Sequence, residues 1–172
     1  MIINIAKPTL FLVLLICAAS AFGQTDTASS PNAVLLTVGG AVEHPLKLTA
    51  GDLAKLPRRS VTAKAHAGKV ESFEGADLGE VLKLAGVKFG EHLSGKDLAQ
   101  FVVVDAADGY RAVFALPELD PAFTDRVVLL ADRRDGKPLA EKEGPLRIVI
   151  PDEKRAARWV RQVTSLTIRR AE

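Results

Sequence analysis

Short apolar runs broken at close intervals by turn residues dominate this chain, and they restrict it to folds built from small strands. AVLLTVGG (33–40) stops at Gly39-Gly40, and FVVVD (101–105) is followed by the turn pair Asp108-Gly109 and the return run YRAVFA (110–115). RVVLLAD (126–132) meets Asp135-Gly136, LRIVI (146–150) stops at Pro151, and Val163 to Arg169 forms a last run. RSVTAKA (59–65) and KVESFE (69–74) alternate on either side of Ala67-Gly68 and predict a hairpin. Each run has the length of a strand and is too short for a packed helix.

Helical signals are few. Leu78, Val81, Leu82 and Ala85 make one apolar stripe at i, i+3, i+4 and i+7, so a helix is expected to open at Gly75 and to stop at Gly86. Thr49 is placed to cap a short helix carrying Leu53 and Leu56, with Asp52 near the positive end of its dipole and Pro57 beyond. A helical turn is expected at Glu118 to Asp120, and a short helix around Lys154 to Val160. The stretch between Gly86 and Gln100 reads as irregular. With no β-α-β alternation and no repeat, the expected fold class is α+β: mixed, mostly antiparallel short strands with three or four short helices.

The N-terminus has a different character. TLFLVLLICAASAFGQ (9–24) follows Lys7, and its apolar core, Leu10 to Ala19, falls well short of the roughly 20 residues of a membrane helix. Small residues at Ala19, Ala21 and Gly23 sit at signal-peptidase spacing, so 1–23 is expected to be a cleaved signal peptide and the protein periplasmic or secreted. Ile16 before Cys17 disfavours a lipoprotein signal. Residues 24–32 read as a flexible linker and 33–170 as one domain. Cleavage removes Cys17, the single cysteine, and with it any disulfide, thiolate nucleophile or thiolate–metal bond. Removing Lys7 lowers the formal charge from +2 to +1, too balanced to attract nucleic acid broadly, and no membrane span is expected after cleavage.

Few residues converge on chemistry. His44, His66 and His92 lack metal-ligand spacing; His66, beside Ala67-Gly68, fits an exposed hairpin tip. Asp105, Asp108, Asp120, Asp132 and Asp135 fall where the chain reverses and fit local caps on backbone N–H groups. Arg147 in GPLRIVIP and the cluster Lys154, Arg155, Arg158 and Arg161 around Trp159 are the strongest signal. On a helix, Lys154, Arg158 and Arg161 would share a side and could grip an oxyanion. The alternative is a solvated face paired with Asp152 and Glu153, with Trp159 in the core.

GPLRIVIP followed by KRAARWVRQVTSLTI resembles the C-terminal part of the sulfite-oxidase-type molybdopterin-binding domain. LTVGGAVEHPLKLTAGDLAKLP resembles that domain's opening, FEGADLGEVLKLAGV its aromatic–x–glycine helix start, and DGYRAVFALPELD with VLLADRRDGKPLAEKEGPLR its middle. The resemblance runs from about Val34 to Ile168 and is nearest to short exported bacterial members. It implies molybdopterin as a possible cofactor, with Arg147, Arg155, Arg158 and His66 as candidate cofactor or anion contacts. It also implies a metal-binding cysteine between Arg58 and Phe73, where this chain has none; Ala65 or His66 falls near the place. Thiolate ligation is not reproduced by alanine, and imidazole is a different ligand. The expected function is therefore a non-catalytic ligand-binding or redox-accessory protein, with an anionic small molecule or a periplasmic redox partner. The alternatives are a molybdopterin-dependent oxidoreductase with atypical ligation and an envelope scaffold.

Overall fold

The computed structural model describes residues 32–64 and 68–172. The expected signal peptide, all but the last residue of the linker, Cys17 and His66 lie outside them. Two sheets share one apolar core. The first joins β1 (Val34–Gly40), β2 (Leu46–Thr49), β5 (Gln100–Ala106), β6 (Arg111–Ala115) and β10 (Val163–Arg170) in the order β2-β1-β10-β5-β6. Only β1 and β10 run parallel there, Thr37 facing Ser165 and Gly40 facing Ile168, which sets the first and last strands of the domain side by side.

The second sheet joins β3 (Arg58–Lys64), β4 (Val70–Asp77), β7 (Leu129–Arg134) and β8 (Lys137–Pro138), and β9 (Arg147–Val149) pairs with the first half of β7. The expected hairpins form. Asp108-Gly109 joins β5 to β6, and Asp135 (φ 49°) with Gly136 (φ 74°) supplies the two left-handed residues that a tight β7–β8 turn requires.

Among the described residues there are two short α-helices, α1 (Ala50–Ala54) and α2 (Leu78–Leu84), where three or four short helices were expected. The remaining helical pieces are 3₁₀ turns, two of them at 90–92 and 95–99 in the stretch read as irregular. Thr49 caps α1 as expected: its hydroxyl accepts the Asp52 N–H, and the Asp52 carboxylate accepts the Thr49 N–H in return. In α2 the stripe is the buried one, with Leu78, Val81, Leu82 and Ala85 at 0% exposure. The helix closes on Gly86 (φ 82°), whose N–H reaches the Lys83 carbonyl while that of Val87 reaches Leu82.

The helix does not open at Gly75. That residue is within β4, opposite Ala131, because the two strands approach so closely that a Cβ there would sit 2.0 Å from the Leu130 carbonyl oxygen. The run expected at 126–132 begins only at Leu129. The helix expected around 154–160 is a single 3₁₀ turn, Ala156–Arg158. Backbone demand explains this: the Ile148 N–H in β9 donates to the Val160 carbonyl, so the chain is extended again before two helical turns can form. The shared face of Lys154, Arg158 and Arg161 therefore does not exist.

Candidate functional site

Arg147 enters from β9 and is buried, 5% exposed. Its guanidinium lies 5.5 Å from the ring centres of both Phe73 and Trp159, which pack edge to face at 6.0 Å. Nη1 is 3.1 Å from Glu143, and Glu143 also holds Arg134, which reaches Glu71 at 3.6 Å. Positive and negative groups alternate along this row. Burial holds the Arg147 guanidinium below its ordinary pKa; Glu143 opposes that shift and Arg161 adds to it. The Nε of Arg147 has no hydrogen-bond partner among the described residues.

Arg158 sits on the 3₁₀ turn, stacked 4.6 Å over Phe114. Its Nε donates to Glu153 at 2.8 Å, both Nη atoms donate to Glu118 at 3.2 Å, and Nη1 also reaches the Val113 carbonyl at 3.2 Å. Burial works against its charge, yet Glu153 and Glu118 outweigh burial and raise its pKa. Of the carboxylates expected around this arginine, Glu153 is present, whereas Asp152 pairs with Arg126. Trp159 is in the core, as that expectation held, with its indole N–H donating to the Ile150 carbonyl.

Arg155 is different. It is exposed and, with Lys64 and Lys154, lines a cleft of about 900 Å³ between the β3–β4 hairpin and the segment 151–159. Ala63, Val70 and Trp159 give the cleft apolar walls, and the three cations make no ion pair among the described residues. Arg147 lines a separate cavity of about 230 Å³ with Arg161 and Tyr110, divided from the cleft by Ala156, Ala157 and Trp159. Arg158 lines neither. The three arginines expected at one site are therefore distributed over three environments.

His44 and His92 are exposed in turns. Asp108 and Asp120 accept local backbone N–H bonds at turns, as their positions imply, whereas Asp135 in the β7–β8 turn accepts the N–H of Ser72 from the neighbouring strand β4. Asp105 and Asp132 do not: both lie in strands, where Asp105 holds Arg111 and Asp132 receives two hydrogen bonds from Arg58 at 2.6 and 2.7 Å. Glu71, Phe73, Glu118 and Glu143 were not singled out as partners of the arginines. Their distance along the chain hides the pairing, and only the i,i+4 spacing of Glu143 and Arg147 offered a clue.

The sequence model described as the oxidoreductase molybdopterin binding domain matches residues 23–172. The chain belongs to this family. A solved structure agrees with the fold: the sulfane dehydrogenase SoxCD from Paracoccus pantotrophus superposes with a TM-score of 0.63 at 24% identity. The likeness covers 81% of this chain but only 39% of that one. No curated protein sequence matches the chain.

The group that gives the family its name is poorly served by these residues. Residues 32–172 contain no thiol. Among the described residues, no three His, Cys, Asp or Glu side chains gather in a way that could hold a metal. Of the three arginines the resemblance offers as contacts to the cofactor, Arg147 and Arg158 are already matched by Glu143, Glu118 and Glu153, whereas Arg155 makes no ion pair among the described residues. The donor set does not fit a thiolate-ligated molybdenum–pterin group.

Proposed function

We propose that this member of the molybdopterin-binding domain family is an exported, non-catalytic binding module for an anionic small molecule with an apolar body. The cleft beside the β3–β4 hairpin carries the reading: Lys64, Lys154 and Arg155 face it with no ion pair among the described residues, above the apolar walls of Ala63, Val70 and Trp159. Cations left unpaired by the protein favour an anionic guest, and the apolar floor favours a guest with a body to bury. The leader-like sequence at 1–23 supports export.

Elemental analysis of the protein as recovered from a periplasmic extract separates this from an oxidoreductase. The module is expected to contain no stoichiometric molybdenum, and one molybdenum per chain overturns the reading. For the ligand, a thermal-shift screen of small organic anions is expected to raise the melting temperature of wild type but not of the Lys154→Ala, Arg155→Ala double variant. Equal responses in both proteins would remove the cleft as the site. Family membership itself favours the second reading, an oxidoreductase whose metal takes an atypical ligand. Substrate oxidation with an artificial electron acceptor, abolished in His66→Ala, would support it.

A further inference from the structure

On the other side of Pro151 from the cationic cleft lies a groove of about 700 Å³ with the opposite electrical character. Pro117, Phe123, Val127 and Pro151 form its apolar walls, and Glu118, Asp125 and Asp152 its acidic rim. Arg126 is the one cation among its lining residues, and it is committed to structure: Nη1 donates to Glu118 and Nε to Asp152, each at 3.1 Å, tying the two walls together. The Asp125 carboxylate is exposed and has no ion-pair partner among the described residues.

Phe123 is 51% exposed, yet its presentation is fixed rather than loose. The N–H groups of Phe123 and Thr124 both donate to the Asp120 carbonyl, that of Ala122 donates to the Asp120 carboxylate, and that of Arg126 donates to the Thr124 hydroxyl. Asp120 is itself buried and also receives the Gly90 N–H at 2.6 Å. A large aromatic ring is thus held partly in water on a turn whose backbone is fixed by four hydrogen bonds, beside two conformationally fixed prolines. Such a groove is preformed and costs little ordering on binding.

The geometry points to this groove as the docking site for an extended, basic segment of a partner protein. An apolar side chain of that segment packs against Phe123 and the prolines, and an adjacent lysine or arginine meets Asp125 at the rim. Charge complementarity selects the occupant. Arg126 and Arg158 hold Glu118, and Arg126 holds Asp152, so the groove's uncompensated charge is the exposed Asp125 at its rim. The cleft across Pro151 carries Lys64, Lys154 and Arg155 against one carboxylate, Glu153; these three cations make no ion pair among the described residues, and they repel the same segment and steer it to the acidic side. An acidic segment meets the reverse preference. This inference does not depend on what the cleft binds.

The test uses a phage-displayed library of random nonapeptides selected against the full-length protein. Enriched peptides are expected to join Lys or Arg to Leu, Val or Pro, and their affinity to fall as salt rises toward physiological strength and beyond. Phe123→Ser and Asp125→Lys, both at exposed positions, are each expected to weaken an enriched synthetic peptide by about tenfold or more without moving the melting temperature. No enrichment, enrichment of acidic or uncharged sequences, or enriched peptides that bind both variants like wild type would each overturn the proposal.

Discussion

Arg147 in β9 and Arg158 on the 3₁₀ turn after it belong to neighbouring parts of one sequence pattern, yet the fold treats them in opposite ways. Arg147 is nearly sealed, with one carboxylate and two aromatic rings, and burial lowers its proton affinity. Arg158 is half-buried, held by two carboxylates, and those raise it. The difference teaches that the number of matched carboxylates, weighed against burial, decides what an arginine can do. One guanidinium is a structural strut near the limit of what one partner supports. The other is a surface clasp with charge compensation to spare. The Arg158 fork is taken by its carboxylates and the Arg147 fork is buried, whereas Arg155 is exposed and makes no ion pair among the described residues.

The largest break in this contrast is expected from Glu143→Gln. It leaves Arg147 buried without an opposing charge, and breaking a buried pair by removing one member costs about 3 kcal/mol. Urea unfolding should show that loss. Arg147→Met should cost much less, about 1 kcal/mol, although it removes the more buried residue. Methionine can fill the space between Phe73 and Trp159, and Glu143 keeps Arg134. If the two variants lose equal stability, Arg147 is not the strut described.

Arg158→Gln is expected to cost about 1 kcal/mol in the same assay, since its pairs are partly solvated and Glu118 keeps Arg126. The sharper measurement is a double-mutant cycle with Glu153→Gln. Coupling near zero would mean that the clasp is geometry without energy.

Much of this fold was legible because its signals are local. The Asp108-Gly109 hairpin, the α2 stripe, the Thr49 cap and the β3–β4 hairpin each need only neighbouring residues to declare themselves. The failures share the opposite cause. Gly75 reads as a helix start until the Leu130 backbone is seen lying against it. The segment around Lys154 to Val160 reads as a helix until β9 claims the Val160 carbonyl. The basic cluster was visible as composition, but its sorting was not. Glu118 reaches Arg158 from another part of the chain, and Glu143 is divided between Arg147 and Arg134, so sequence spacing alone could not show which cations remain free. Asp105 and Asp132 were misread for the same reason: each sits near a turn pair, but each side chain is spent on an arginine across the sheet.

Asp52 stands at the solvated end of the comparison and yields the smallest expected effect. Hydrogen bonds from the Thr49 hydroxyl and backbone N–H, with Lys55 adding, lower its pKa from 3.8 to about 2. A carboxyl lowered on folding contributes stability above its unfolded pKa and loses it as pH falls through the folded value. The stability difference between wild type and Asp52→Asn should therefore be constant above the unfolded value, shrink between 3.8 and about 2, and vanish below that. Because the Asp52 side chain is partly exposed and Lys55 beside it is open to solvent, the difference should also shrink in high salt, unlike the Glu143→Gln effect. A gap that persists unchanged at the acid end would show that asparagine harms the cap through shape, and that the carboxylate charge at α1 contributes nothing.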